Sequence, residues 1–295
     1  MKPVAFAYLR AQSVEEACHA LGREGDAARI LAGGQSLSAM LNMRIVTPSL
    51  LIDINGIGAL DFIEENEGGI VTGATVRQAA ALRNLSIVKK VPLLAAALPH
   101  VGHYQTRGRG TLAGSVAHAD PSAEIPLVLT VLGGGVELAS RRRRRQVPAR
   151  EFFISALTTR RAPDEMIVSL RWPPASANDF YGFKEIALRA GDYALVAAAC
   201  HASQAAAGAL GQFTIGFGGC GDHPQIVAHP FSSCTLSAAG VKDLAAETAR
   251  VVECRSDLHA SAAYRRHLAG FLCEELMREA LAFFKKGRDC GSVGA

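Results

Sequence analysis

The stretch that decides the reading is Ile30–Ile54, ILAGGQSLSAMLNMRIVTPSLLIDI. Ile30 and Leu31 read as the end of a buried strand, the chain breaks at Gly33-Gly34, and Leu37–Met43 carries a helical pattern. Gln35 and Ser36 are offered in the turn. Two residues without Cβ let backbone N–H groups come close to an anion, and a helix start adds partial positive charge. The segment is a phosphate cradle in outline. One Gly-Gly pair alone reads more readily as an ordinary strand–turn–helix bend. A second loop further along the chain shifts the balance.

That second loop is Arg107–Pro121, RGRGTLAGSVAHADP. Gly110 and Gly114 permit close approach, Thr111 and Ser115 can donate to phosphate oxygens, and Asp120 can accept from a ribose hydroxyl. Alone it too reads as a structural loop, with Asp-Pro turning the chain. Two such loops together suggest a ligand with two phosphates, a dinucleotide held across its pyrophosphate. Neither is G-x-G-x-x-G, and neither ends in the Lys of a P-loop, so both of those readings fail.

The rest of the composition bounds the answer. A chain of 295 residues, 49% hydrophobic, can bury a large core in two or three domains. A net charge of +4 implies no global attraction to nucleic acid. The start MKPVAFAYLRAQ lacks the apolar run of a signal peptide, and no stretch reaches membrane-spanning length, so a soluble cytoplasmic protein is expected. Seven cysteines, Cys18, Cys200, Cys220, Cys234, Cys254, Cys273 and Cys290, are scattered without C-x-x-C. They read as lone buried thiols of a reducing compartment, and no metal site is expected in this chain.

Along the chain, Ser13-Val-Glu-Glu16 and Thr75-Val-Arg-Gln78 have the form of capping boxes, opening helices to Leu21 and to about Asn84. Strands are expected at Ala27–Leu31 and Ser49–Ile54, with a hairpin from Asp61–Glu65 to Ile70–Ala74. Ser86–Leu98 reads as one apolar helix, and Ser122 to about Val131 as another. Val136–Ala139 and Gln146–Phe153 read as strands flanking an exposed turn at Arg141–Arg145, and Glu165–Trp172 as a closing strand. After a linker at Pro173–Asn178, the segments Tyr181–Leu188, Tyr193–His201 and Gln212–Phe217 suggest an antiparallel meander. Helices at Ala239–Glu253 and Ser261–Phe284 come next, then a frayed tail.

AGGQS at 32–36 and TLAGS at 111–115, with AHADP just after, resemble the paired FAD-binding motifs of the molybdenum hydroxylase family, in its medium, FAD-binding subunit. The resemblance spans nearly the whole chain: PSLLIDINGI, GATVRQ, RGRGTLAGSVAHADPSAEIP, GFKEIALRAGDYALV, IGFGGCGDHP and DLHASAAYRRHLAGFL all fall in family order. Two departures are Ala113, where a second Gly is usual, and Gly108, where Asn is common. The resemblance implies an α+β fold: a PCMH/VAO-type FAD-binding domain of two α+β subdomains, residues 1–55 and 56–175. It also implies a carboxy-terminal α+β domain at 176–288, like that of the CO dehydrogenase flavoprotein, and a tail at 289–295.

It further implies FAD held by Ala32, Gly33, Gly34, Gln35, Ser36, Leu37, Gly110, Thr111, Leu112, Ala113, Gly114, Ser115, His118 and Asp120. Tyr193 is expected against the flavin ring and Lys184 near flavin or phosphates, with an ordinary strand position as the alternative for each. The implied assembly has a large molybdopterin subunit, a small subunit with two [2Fe–2S] clusters, and an external electron acceptor, as a heterotrimer or a dimer of heterotrimers. His100, His103 and His118 lie around the second motif, but a flavin relaying electrons needs no substrate proton abstraction, so no catalytic acid or base is assigned. The Arg141–Arg145 run reads as a solvated turn, with docking of an acidic electron acceptor as the alternative. Two competing functions are a self-contained FAD-dependent oxidase or dehydrogenase of the VAO-type fold and a flavin-free structural protein. The first lacks convergent acid/base groups, and the second is opposed by intact Gly33, Gly34, Gly110 and Gly114.

Overall fold

A computed structural model describes residues 2–205, 210–231 and 236–291, with side chains as far as residue 286. The chain forms two compact units. One is Met1–Val91, Val101–Asp120 and Gly133–Pro174, and the other is Pro92–His100, Pro121–Leu132 and Ala175–Ala295.

The first unit opens with β1 (Ala7–Arg10), α1 (Val14–Glu24), β2 (Ala28–Leu31), α2 (Leu37–Asn42) and β3 (Leu50–Asp53). Its strands form a parallel sheet in the order β1-β3-β2, with Leu50 facing Ala7 on one side and Ala28 on the other. β3 is the central strand, and its Leu51 and Ile52 are buried. Ser13 caps α1 by accepting from the Glu16 N–H, and Glu16 reaches back to the Gln12 N–H at 2.7 Å. Helix α1 does not stop at Gly22. It runs to Glu24, because Gly25 (φ 55) supplies the positive-φ cap.

The chain continues through β4 (Ile63–Asn66), β5 (Gly69–Gly73), α3 (Gln78–Arg83), α4 (Leu85–Lys90), α5 (Pro92–Ala97), α6 (Tyr104–Arg109), α7 (Leu112–His118) and α8 (Glu124–Val131). Next are β6 (Gly135–Ala139), β7 (Arg144–Pro148), α9 (Ala149–Phe152), β8 (Phe153–Ser155), β9 (Thr158–Thr159) and β10 (Met166–Trp172). A second sheet of the first unit has the order β4-β5-β10-β6-β7, all antiparallel. β10 is its central strand and is almost continuously buried. Trp172, fully buried, donates its indole N–H to Thr72 Oγ1 at 3.0 Å, so its one polar atom is satisfied.

The structure overturns several expectations. Thr75–Gln78 is not a capping box: α3 has Arg77 as its N-cap with no side-chain bond. The single helix expected over Ser86–Leu98 is two, α4 and α5, broken at Val91 (φ −132, ψ 58) before Pro92. The strand expected over Gln146–Phe153 gives way after Pro148 to the short α9. The arginine run is not all turn. Arg141–Arg143 are exposed on a turn fastened by Ser140, whose N–H donates to Arg143 O at 2.9 Å, and Arg144, also exposed, opens β7. Arg145, however, lies in β7 and grips Glu165 through two bonds of 2.6 and 2.7 Å.

The second unit adds β11 (Phe180–Ala187), β12 (Ala194–Gln204), β13 (Leu210–Gly218), β14 (Gln225–Pro230), α10 (Ala238–Val251) and α11 (Ala262–Gly291). The meander is present as β11-β12-β13-β14, with β14 a strand that the sequence did not announce. β12 is rich in alanine and buried almost throughout, as a strand covered on both faces must be. Gly182 sits where Leu276 of α11 presses on one face, and Gly216 where Val131 and Leu127 of α8 press on the other. The tail is helical as far as Gly291 rather than frayed from Lys285, and residues 292–295 lie outside the described part. Cys234 also lies outside it, as does the side chain of Cys290.

The Arg145–Glu165 pair yields a stability prediction. Glu165 is almost wholly buried and takes a third bond from the Ala162 N–H at 2.9 Å. The Arg145 guanidinium holds its carboxyl below the usual carboxylate range, against the effect of burial. A depressed folded pKa contributes stability that is complete above the unfolded value and lost as pH falls through the folded one. Glu165→Gln should destabilise by on the order of 3 kcal/mol at neutral pH, since it leaves Arg145 without its counter-charge. In denaturant melts, the wild type should lose more stability than the variant as pH falls below about 4.

Candidate functional site

The two glycine loops meet within the first unit. Loop one, Ala32–Ser36, joins β2 to α2, and loop two, Gly110–Ser115, is the Gly110-Thr111 link after α6 together with the first turn of α7. A Cβ at Gly33 would lie 2.5 Å from the Arg109 carbonyl oxygen and 2.8 Å from Gly110 Cα, so only glycine allows this approach. A Cβ at Gly110 would in turn lie 2.7 Å from Gln78 Oε1 and 2.9 Å from the Thr106 carbonyl. The glycines therefore serve the packing of backbone on backbone before they serve any ligand.

Side chains fasten the two loops. Asn55, just after β3, donates from Nδ2 to the Ala32 carbonyl at 2.9 Å. Its Oδ1 accepts from Arg77 Nη2 at 2.5 Å, and Arg77 Nη1 donates to the Arg109 carbonyl. Asp53 Oδ1 fixes Asn55 by accepting from its backbone N–H at 2.8 Å, and Tyr8 donates its hydroxyl to Asp53 Oδ2 at 2.5 Å. Burial would raise the Asp53 carboxyl, but the bonds from Tyr8 and Asn55 outweigh it and bring it below the usual range. Main-chain bonds complete the junction: Gln78 N–H to Gly110 O at 2.9 Å, and Leu112 N–H to Val76 O at 3.1 Å. Sequence reasoning gave Asn55, Arg77 and the Arg109 carbonyl no role, although PSLLIDINGI and GATVRQ mark the places of the first two.

Within loop one, Gly34 has φ 72, and no backbone N–H of Gly33, Gly34, Gln35 or Ser36 has a hydrogen-bond partner among the described residues. Gln35 curls back to donate to the Gly33 carbonyl at 3.3 Å. Within loop two, Thr111 is the N-cap of α7, accepting from the Gly114 N–H at 2.9 Å, and a Cβ at Gly114 would strike that hydroxyl at 2.6 Å. Gly33, Gly110, Thr111, Leu112 and Ala113 are buried, while Ala32, Gly34, Gln35, Ser36, Leu37, Gly114, Ser115, His118 and Asp120 reach the surface to differing degrees. No carboxylate lies in either loop. An unpaired row of N–H donors beside hydroxyls, with no acidic group in the loops, fits a pyrophosphate. The helices behind the loops have only six and seven residues, so the N–H groups rather than a long dipole carry that fit.

His118 ends α7, and burial lowers its pKa despite Asp120, which keeps the imidazole neutral at neutral pH. Ala119 comes next, in the left-handed region (φ 54). In the second unit, Tyr193 is exposed between β11 and β12. Lys184 turns toward α11, its Nζ 2.8 Å from Glu279 and 3.9 Å from Glu275. On the opposite face of β11, His100 Nδ1 meets the buried Glu185 at 3.2 Å, a hydrogen bond that raises the imidazole pKa. Among the described residues no group of three or more His, Cys, Asp or Glu could hold a metal ion, and no helix is long and apolar enough to cross a membrane.

Two clamped loops with unpartnered backbone donors form a corner that suits a pyrophosphate. The family model described as FAD binding domain in molybdopterin dehydrogenase matches residues 4–175, and that of the CO dehydrogenase flavoprotein C-terminal domain matches 181–280. The nicotine 6-hydroxylase medium subunit of Paenarthrobacter nicotinovorans is 36% identical over 95% of this chain and 98% of its own. The glyceraldehyde dehydrogenase medium chain of Sulfolobus acidocaldarius is 33% identical over 95% and 99%. Among solved structures, quinoline 2-oxidoreductase from Pseudomonas putida 86 superposes with a TM-score of 0.89 at 32% identity, covering 98% of this chain and 99% of that one. Carbon monoxide dehydrogenase from Hydrogenophaga pseudoflava superposes with a TM-score of 0.90 at 28% identity, covering 96% and 99%. The chain belongs to the family of FAD-binding medium subunits of molybdenum hydroxylases, and it is an oxidoreductase flavoprotein subunit.

The junction predicts a paired result. Gly33→Ala must part the loops and should cost about 1–3 kcal/mol, with loss of bound flavin. Gly108→Ala, where a Cβ meets nothing within 4 Å, should keep its flavin and gain up to about 1 kcal/mol from helix propensity. Thermal melts and flavin absorbance of the two purified variants check this.

Proposed function

We propose that this chain is the electron-relay subunit of a heterotrimeric molybdenum hydroxylase, with FAD placed between the [2Fe–2S] clusters of a small partner subunit and an external acceptor. A large molybdopterin subunit oxidises the substrate. The complex is soluble and cytoplasmic, as a heterotrimer or a dimer of heterotrimers. Bound flavin supplies exchange of electrons both singly and in pairs. The carrying observation is the juxtaposition of the two loops at Gly33 and Gly110, with the N–H groups of Gly33–Ser36 left without partners among the described residues.

In this reading those N–H groups hold one phosphate, and Ser36 and Ser115 add hydroxyl donors. Asp120 takes a ribose hydroxyl, and neutral His118 offers a polar contact without adding charge. Ala32 and Leu37 line the first loop, while Thr111, Leu112 and Ala113 support the second from within the protein. Tyr193 and Lys184 are kept as flavin contacts on the strength of the family resemblance, and Lys184 has to loosen from Glu279 to serve. Residues 1–55 and 56–175 act as the two FAD-binding subdomains, 176–288 as the third part and 289–295 as a tail. No His or Cys lies within either loop, so the cofactor is held without a covalent bond.

Support for a relay comes from the relatives' names. Subunits matched over nearly their whole length belong to complexes named for nicotine and for glyceraldehyde. A shared architecture serving such unlike substrates is expected if the substrate binds in another polypeptide. The test is anaerobic stopped-flow on the isolated chain loaded with FAD. Dithionite should bleach the flavin, and NADH should do so where NAD is the physiological acceptor. Alcohols, amines, aldehydes and N-heterocycles should not. Bleaching by one of these organic substrates at a catalytically useful rate would replace the relay with a self-contained dehydrogenase. Acid precipitation of the same sample should leave FAD in the supernatant.

A further inference from the structure

Two cysteines of the second unit have no part in the flavin reading. Cys220 lies in the turn between β13 and β14, and Cys254 in the strap leading from α10 to α11. The strap is stitched to the turn along its length. Gln225 takes the Glu253 N–H on its side-chain oxygen and donates to the Glu253 carbonyl, both at 2.8 Å. The Arg255 N–H donates to the Cys220 carbonyl at 2.9 Å, and Arg255 Nη1 lies 3.2 Å from Asp222 Oδ1. Behind them the buried Arg265 donates to the Gly219 carbonyl at 2.9 Å and pairs with Asp257 at 2.6 Å.

The Arg255–Cys220 bond sets residue 254 beside residue 220, and Cys254 packs against the core cluster that contains Cys220. Cys254 Sγ in turn lies 3.7 Å from the Val252 carbonyl. Their exposures differ, since Cys220 is fully buried and Cys254 only half-buried. Burial pushes the Cys220 thiol up, so Cys254 is the sulfur that meets an oxidant first. The other described cysteines are not tied to this junction. Cys18 donates to the Ala139 carbonyl at 3.4 Å, while Cys200 and Cys273 are enclosed in the core of the second unit.

We propose that Cys220 and Cys254 form a peroxide-oxidisable dithiol, a redox modification site built into the turn–strap junction. Cys254 attacks the O–O bond of hydrogen peroxide, giving a sulfenic acid and water. Cys220 Sγ then displaces the hydroxyl from Cys254, its proton leaving with that hydroxyl as a second water. Two thiols and one peroxide thus become one disulfide and two waters. The existing stitches already hold both backbones in place. It ties the end of β13 to the strap after α10 and removes loop freedom from the unfolded chain.

The test uses the purified full-length chain, first reduced, then treated with one equivalent of hydrogen peroxide. Remaining thiols are alkylated in denaturant, which exposes the buried Cys220, the protein is digested without reduction, and the linkage is located by tandem mass spectrometry. A Cys220–Cys254 crosslink is expected in most chains, reversible with dithiothreitol, with a thermal midpoint raised by a few degrees. In Cys220→Ser, Cys254 should instead be trapped by a sulfenic-acid probe, and Cys254→Ser should leave Cys220 free to alkylate. The proposal falls if Cys220 stays fully alkylatable in the oxidised wild type. It falls equally if the crosslink found joins either residue to another cysteine such as Cys234.

Discussion

The site rests on one junction, in which the carbonyls of two loops are joined through Asn55 and Arg77. Arg77 bonds the Arg109 carbonyl at one guanidinium nitrogen and Asn55 at another, and Asn55 bonds the Ala32 carbonyl. Burial and the neighbouring Arg109 charge lower the Arg77 pKa, yet a guanidinium stays cationic at any working pH. A cation that satisfies two backbone and side-chain acceptors at once is well suited to hold strands of chain that share no sheet. With those carbonyls occupied, the N–H groups of loop one are left without partners among the described residues. The sheets behind serve to fix that arrangement. β3 ends at Asp53, which orients Asn55, and Gly110 O takes the first N–H of α3.

The same junction gives the glycines a sharper role than ligand access alone. Gly33 is required because Arg109 and Gly110 lie against it, Gly34 because its φ is 72, and Gly114 because Thr111 caps there. Substitution at any of them disturbs the loop before it reaches a ligand. Gly108, by contrast, has open space around it, so a side chain there would strike nothing. Ala113 is buried at 4% exposure, so its methyl is packed among protein atoms rather than lying on the loop surface.

Much of this was legible because local signals and tertiary structure agree. The Gly-Gly break between β2 and α2, the Glu67–Gly69 turn of the β4–β5 hairpin and the meander after Pro174 all carry their own turn residues. What was missed depends on partners distant in sequence. Thr75–Gln78 matches a capping pattern, but the Gln78 N–H goes to Gly110 O instead, and Thr75 Oγ1 is left without a partner. Arg145 looks like one more solvated charge until Glu165 faces it across the fold. Asn55 and Arg77 have no motif of their own, since a polar residue reveals its acceptor only when another element supplies it. β14 was hidden by a short, half-exposed sequence ending in Pro230.

The central claim is that the Asn55–Arg77 link acts as a single clamp holding both loops ready for FAD. A double-mutant cycle on FAD dissociation tests it most directly, using Asn55→Ala, Arg77→Ala and the combined variant, with folding checked by circular dichroism. Coupling within one network of this kind is worth about 0.5–3 kcal/mol, so each single change should weaken FAD binding by roughly 2- to 160-fold and the pair no further than the worse of the two. Strictly additive losses, or FAD binding unchanged in either single variant, would contradict the account.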